Sequence, residues 1–116
     1  MDEILEYLTS VPAWYLATCE DDQPRVRPFS FAAIDGGKLW FCTATNKDVY
    51  HQLKANPKFE LSGWKPGFGW IVVTGKASMI DEVSPETRKA GYDHMTALGE
   101  TYDGPEDPRL TFFSLA

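Results

Sequence analysis

Cysteine and histidine are scarce in this sequence: Cys19, Cys42, His51 and His94 are the whole supply. None of them falls at the short paired spacing that structural metal sites use. A metal centre is therefore not expected. Both cysteines lie in apolar, strand-like contexts, which reads as two buried free thiols rather than a disulfide. Positive charge is also limited. Eleven lysines and arginines face seventeen aspartates and glutamates, for a net charge of −6 and a pI near 4.8. Nucleic acid needs a broad basic face, so it is not an expected partner. The same balance argues against anionic membrane surfaces, and no apolar run approaches the ~18 residues of a membrane span. The opening MDEILEYL is acidic and amphipathic, unlike a signal or transit peptide. The expected location is the cytoplasm. There is no repeat, linker or low-complexity stretch, and the 116 residues read as one domain, 1–116, with one modest core.

Aromatic residues, by contrast, are plentiful at 14%, with four tryptophans and seven phenylalanines. So many bulky rings in a short chain imply either a crowded core or an aromatic surface that a partner covers.

Taken in order, the chain alternates strand and helix signals. Asp2 to Thr9 carries Ile4, Leu5 and Leu8 at helical spacing. Ala13 to Cys19 is a first strand and Arg25 to Ile34 a second. Asp35-Gly36-Gly37 is a hairpin turn into a third strand, Lys38 to Ala44, which is apolar almost throughout. A helix follows from Asp48 to Ala55, with Thr45 or Asn46 as its expected N-cap and Asn56-Pro57 as its stop. Phe59 to Gly63 and Trp70 to Met79 are strands, joined by the loop Trp64 to Gly69. Ser84-Pro85-Glu86 starts a last helix that runs to Leu98, with Gly99 after it. Leu110 to Leu115 is the final strand. Six strands joined by short turns favour a mostly antiparallel sheet closed into a small barrel, with helices at its openings.

The positive charge is not spread evenly. Between Gln23 and Lys58, Arg25, Arg27, Lys38, Lys47, Lys54 and Lys58 stand against Asp35 and Asp48, a net of +4; the remainder carries −10. A basic segment inside an acidic protein suggests a local task for the charge. Arg25 and Arg27 share one face of their strand. Two hairpin strands can bring that face close to Thr43, Thr45, Asn46 and Lys47 at the next helix start. Cations, hydroxyls and the free N–H groups of a helix N-terminus are what a phosphate needs. The spacing alone equally fits ordinary surface charge and a helix cap.

The segment QPRVRPFSF, the run GGKLWFCTATNK and the helix closing on Asn56-Pro57 shift the weight toward a phosphate site by resemblance. Together they resemble the pyridoxamine 5′-phosphate oxidase-like superfamily of FMN-binding split barrels. Members have an arginine-bearing strand after a turn, then Gly-x-hydrophobic-x-Phe-x-Thr, a loop with Lys, Ser or Arg, and a helix ending in Asn-Pro. The match covers roughly residues 10 to 82. It implies a mainly β fold: a six-stranded antiparallel split β-barrel with two or three flanking helices. It implies FMN as cofactor and a homodimer with flavin at the subunit interface. Arg27, Pro28, Phe29, Ser30 and Thr43 then map to the flavin ring edge and ribityl chain. Thr45, Asn46 and Lys47 map to the phosphate clamp, with Arg25 or Arg27 as second cation. The implied activity is oxidation or reduction of a small organic molecule.

This sequence departs from true pyridoxamine phosphate oxidases in several places. The second strand ends Phe29-Ser30-Phe31-Ala32 without a basic residue, the clamp loop has one lysine followed by Asp48, and the sequence given ends at Ala116 without a Trp and Arg-x-His segment. The resemblance is thus to the small general-stress and nitroimidazole-resistance-like members, and pyridoxamine phosphate is expected to be a poor substrate. Two other readings stand beside this one. The first is a carrier of flavin or haem without turnover. The second is a deazaflavin-dependent reductase, whose longer cofactor tail would call for more basic groups. His51 and His94 are expected as solvated helix residues. Trp64, Phe68 and Trp70 are expected in core or dimer packing, or as a mobile aromatic loop over the site hinged at Gly67 and Gly69. No Ser-His-Asp set, Cys-His pair or carboxylate pair is legible, so the reactive chemistry is expected to be the cofactor's.

Overall fold

Strand β1 (Trp14–Glu20) alternates as a half-buried strand should: Trp14, Leu16 and Thr18 face inward while Tyr15 faces out. Strand β4 (Lys38–Ala44) is buried from Leu39 onward, on both faces. Its alternate side chains serve two cores. Leu39 and Phe41 join Trp14, Leu16, Phe59, Leu61 and Phe113 in the main cluster. Trp40 and Cys42 point the other way, into a smaller cluster with Met95, Leu110 and Phe112. A continuous apolar run is what such a doubly covered strand requires.

The structure is a computed structural model and describes residues 2–116. The other elements are α1 (Asp2–Ser10), β2 (Gln23–Phe29), β3 (Ala32–Asp35), α2 (Asp48–Ala55), β5 (Lys58–Lys65), β6 (Gly69–Ser78), α3 (Pro85–Ala97) and β7 (Leu110–Leu115). The described residues thus form seven strands, not the expected six, in one antiparallel sheet of order β2-β1-β5-β6-β7-β4-β3. The extra strand comes from a break within Arg25–Ile34. After Phe29 the chain leaves β1, crosses Ser30 and Phe31, and pairs with β4 from Ala32. Pro28, which has no N–H to donate, sits in β2 at the sheet edge, where that is tolerated.

The same break corrects the expected closure. The two edge strands, β2 and β3, are consecutive in the chain but do not pair. The sheet therefore curls without closing, and the seam lies where Ser30 and Phe31 span it. Strand β6 makes the bend on the opposite side. Its Gly69–Lys76 stretch pairs with β5, while Ala77 and Ser78 pair with β7. The expected aromatic loop is a tight hairpin instead: Trp64 and Lys65 extend β5, Gly69 opens β6, and Trp64 lies opposite Trp70. Helix α3 begins as Ser84-Pro85-Glu86 predicts, with the Ser84 hydroxyl accepting from the Thr87 N–H at 3.3 Å. It packs on β7 at close range. A Cβ at Gly91 would lie 2.4 Å from Cζ of the buried Phe112, so glycine is what lets the helix approach. That approach sets the end of α3 beside the seam. No helix among the described residues is long and apolar enough to cross a membrane.

Candidate functional site

The open seam becomes a groove because its sides come from different elements. An inner cavity of about 110 Å³ is walled by Arg27, Pro28, Phe29, Ser30, Thr43 and Lys47, with Met95, Leu98 and Glu100 from the end of α3 opposite. A more open space of about 480 Å³ continues outward past Arg25, Glu20, Asp48 and Gln52. The two share Arg27, Lys47 and Val49 as walls. The result is a half-apolar inner end, a cationic middle and a polar outer end. This lining suits a ligand with an apolar part and an anionic part.

Six of the nine sequence-predicted residues thus wall the inner cavity, and Arg25 joins Arg27 and Lys47 outside it. The other two stand apart. Asn46 borders a neighbouring hollow with Lys47, Glu100 and Arg109. Thr45 walls neither part of the groove, and its N–H is taken by the Arg109 carbonyl at 2.8 Å. The expected N-cap is also corrected. Lys47 holds the cap position of α2, with no side-chain cap bond. The first N–H groups of a helix have no intrahelical acceptors, and those of α2 begin at Asp48 and Val49, both on the groove wall.

Arg27 is the best-anchored cation. Its Nη1 donates to the Leu16 carbonyl at 3.2 Å and to Thr18 Oγ1 at 2.9 Å, and its Nη2 donates to Gln52 Oε1. Thr18 in turn donates to Gln52 Oε1 at 2.6 Å. These partners are neutral, and among the described residues Arg27 has no ion-pair partner. Burial pushes the guanidinium pKa down, opposed by Asp48 and helped by Arg25. The group stays charged at neutral pH. A desolvated cation held only by neutral acceptors retains most of its pull on an anion. Arg25 differs, being paired with Glu20 at 3.0 Å in an exposed contact. Lys47 is paired with Glu100 at 2.7 Å.

Thr43 supplies the deepest polar group. It is buried on the cavity wall, and its hydroxyl has no hydrogen-bond partner among the described residues. An unpartnered buried hydroxyl beside a cavity is a ready contact for a ligand heteroatom. Cys42, on the same wall, offers no comparable chemistry: burial pushes its thiol pKa up to about 12, so it stays protonated.

Sequence reasoning placed His94 in solvent, and the structure corrects this. The ring is half-buried, 2.7 Å from Ser30 Oγ through Nε2 and against Phe31. His51 is exposed, as expected. None of Trp64, Phe68 and Trp70 walls the groove; Phe68 packs on Tyr7 instead, with ring centroids 5.2 Å apart. Several wall residues were missed, namely Gln52, Met95, Leu98 and Glu100. Gln52 was legible in principle, as a polar side chain beside Val49 and Leu53 on the buried stripe of α2. The three around α3's end carry no local signal. The described residues contain no cluster of metal-ligating side chains.

A sequence model of the family described as Pyridoxamine 5′-phosphate oxidase matches residues 1–116. No curated protein matches the chain. Among solved structures, the chain is similar to a NimC/NimA family protein from Clostridium acetobutylicum. The two share 32% identity over 100% of this chain and 79% of that one, with a TM-score of 0.84. It is similar to a protein described as an F420 reductase, with 26% identity over 95% of this chain and 90% of that one, and a TM-score of 0.65. It shares the fold of a pyridoxamine 5′-phosphate oxidase-related, FMN-binding protein from Nostoc punctiforme. There the identity is 18% over 98% of this chain and 76% of that one, and the TM-score is 0.67.

Proposed function

The chain belongs to the pyridoxamine 5′-phosphate oxidase family, and from that membership we propose that its groove holds FMN and that the protein is a flavin-dependent oxidoreductase. The observation that carries this reading is Arg27. Its guanidinium, in no ion pair among the described residues, shares the groove with Lys47 and the first turn of α2, near the unpartnered hydroxyl of Thr43. Arg27, Lys47 and the α2 N–H groups are suited to the phosphate. Pro28, Phe29 and Ser30 form the edge along the flat body, and Thr43 donates to a ring heteroatom. Val49, Met95 and Leu98 give the inner end its apolar lining. Bound flavin would supply the hydride and single-electron chemistry; the chain supplies position and charge. A deazaflavin with a longer anionic tail fits less well, because Glu20 and Glu100 already offset two of the three groove cations.

The test is anaerobic. Bound flavin is reduced with NADH, NADPH or dithionite, and then nitroaromatics, quinones and pyridoxamine phosphate are offered separately. The oxidoreductase reading expects at least one acceptor to reoxidise the protein's flavin faster than free FMN. No such acceptor leaves a carrier.

The same reading includes a homodimer. The outer face of β2, β1, β5 and β6 carries a row in which Pro28 lies opposite Tyr15, Tyr15 opposite Ser62 and Ser62 opposite Val72. Val26 flanks that row on one side, and the Trp64–Trp70 pair on the other. Trp64 and Trp70 are 68% and 78% exposed. Exposed apolar side chains gathered on one sheet face support the reading of a second copy packed there. Light scattering is expected to give twice the 13.1 kDa chain mass. Trp70→Glu, which sets a charge in the patch, is expected to yield the single-chain mass with unchanged circular dichroism. A wild-type protein of single-chain mass at micromolar concentration contradicts the dimer.

A further inference from the structure

The clamp lysine already holds an anion that belongs to the chain. Glu100 Oε1 lies 2.7 Å from Lys47 Nζ and accepts a 2.8 Å hydrogen bond from the Tyr102 hydroxyl. The contact does not come from sequence neighbours. Lys47 stands at the start of α2, whereas Glu100 follows the stop of α3. There Gly99 takes a φ of 88° and the Glu100 N–H donates to the Met95 carbonyl at 3.1 Å. Both residues wall the inner cavity and also the neighbouring hollow that Tyr102 lines, so the pair borders the groove. Their side chains are 39% and 27% exposed, less than the half-exposed pair of Arg25 and Glu20. The Tyr102 phenol feels the same carboxylate: burial and the Glu100 bond push its pKa up, so it remains a donor.

We propose that Glu100 is a resident counter-anion that a ligand's phosphate must displace from Lys47, so that the exchange tempers the groove's affinity for a terminal phosphate. The proposal rests on the reading above only in placing the phosphate at Lys47. A neutral ligand end gains nothing from a lysine that is already paired. A singly charged end trades one anion for another. A phosphate monoester brings roughly −1.5 to −2 charges at neutral pH, replaces one carboxylate with more charge, and reaches Arg27 and the α2 N–H groups at once. The freed Glu100 keeps Tyr102 as a partner, so it is not left without a hydrogen bond.

The experiment is calorimetric titration of the wild type and Glu100→Gln with FMN, riboflavin and inorganic phosphate. The glutamine keeps an oxygen for Tyr102 and removes the charge. Because the Lys47 pair is partly solvated, Glu100→Gln is expected to bind FMN and inorganic phosphate about three- to tenfold tighter. Riboflavin affinity is expected not to change. Glu100→Ala, with its fold checked by circular dichroism, serves if the glutamine variant is unstable. Hydrogen exchange at Glu100 and Thr101 is expected to quicken when FMN binds the wild type, as the carboxylate lets go. Equal or weaker FMN and phosphate binding by the charge-free variants overturns the proposal, whether or not the wild type binds flavin. Tighter phosphate binding without any flavin binding upholds it and removes the FMN reading instead.

Discussion

Arg27→Ala is expected to weaken FMN binding by about a hundredfold and to lower stability by only ~1–2 kcal/mol. The two effects separate because Arg27 spends its bonds on neutral partners. Without it, Thr18 still donates to Gln52 Oε1, and the Leu16 carbonyl loses only one of its contacts. No carboxylate is left stranded, so the fold loses little. Binding loses much more. A hydrogen bond to a charged group is worth ~1.5–3 kcal/mol, the upper end applying where the cation is partly desolvated. Burial is the leading influence on Arg27, which places it toward that end. Arg27→Lys is expected to recover only part of the affinity, since one ammonium cannot span Thr18, Leu16 and Gln52 as the fork does. Titration calorimetry measures the affinity and urea denaturation the stability. Wild-type affinity in Arg27→Ala would move the clamp away from the seam.

Phe41→Ala is expected to remove ~3–5 kcal/mol, the largest stability loss of any prediction made for this chain. Phe41 is fully buried, and its ring centroid lies 5.3 Å from Trp14, 5.3 Å from Phe113 and 6.0 Å from Phe59. It therefore ties β1, β5 and β7 to its own strand. Truncation leaves a hole that these large rings cannot close without leaving their rotamers. Total stability of ordinary domains is ~5–15 kcal/mol, so the variant is left marginal. Phe41→Leu, which preserves more volume, is expected to cost under about 1.5 kcal/mol. Because Thr43 follows on the same strand, FMN affinity should fall with Phe41→Ala as well. A urea midpoint near wild type would contradict the packing account.

Much of the fold was legible because its signals are local. Asp35-Gly36-Gly37 turns the chain between β3 and β4, with both glycines at positive φ. The apolar run of β4, the Asn56-Pro57 stop of α2 and the Ser84 cap of α3 are equally short-range. What escaped depends on distant partners. Phe29 to Ile34 reads as continuous strand because nothing in it announces a change of partner from β1 to β4. Closure of the barrel depends on whether β2 meets β3, and a strand count carries no information on that. Lys47 is the cap of α2 because Thr45 and Asn46 form a turn that the Lys47 N–H closes on the Ala44 carbonyl, with the Thr45 N–H held by Arg109, far along the chain. Ser30 and His94 meet across 64 residues, and Glu100 reaches Lys47 only once α3 is docked. The groove's near wall was therefore readable as a motif, and its far wall was not.

The central claim is that Arg27 and Lys47 hold a phosphate at the seam. Its most direct test is a comparison of FMN and riboflavin affinities by calorimetry at low and moderate salt. The two ligands differ by the phosphate alone. FMN is expected to bind at least about tenfold tighter, from one or more charged hydrogen bonds, with the gap narrowing as salt screens the exposed part of the clamp. Equal affinities at low salt would contradict the phosphate clamp.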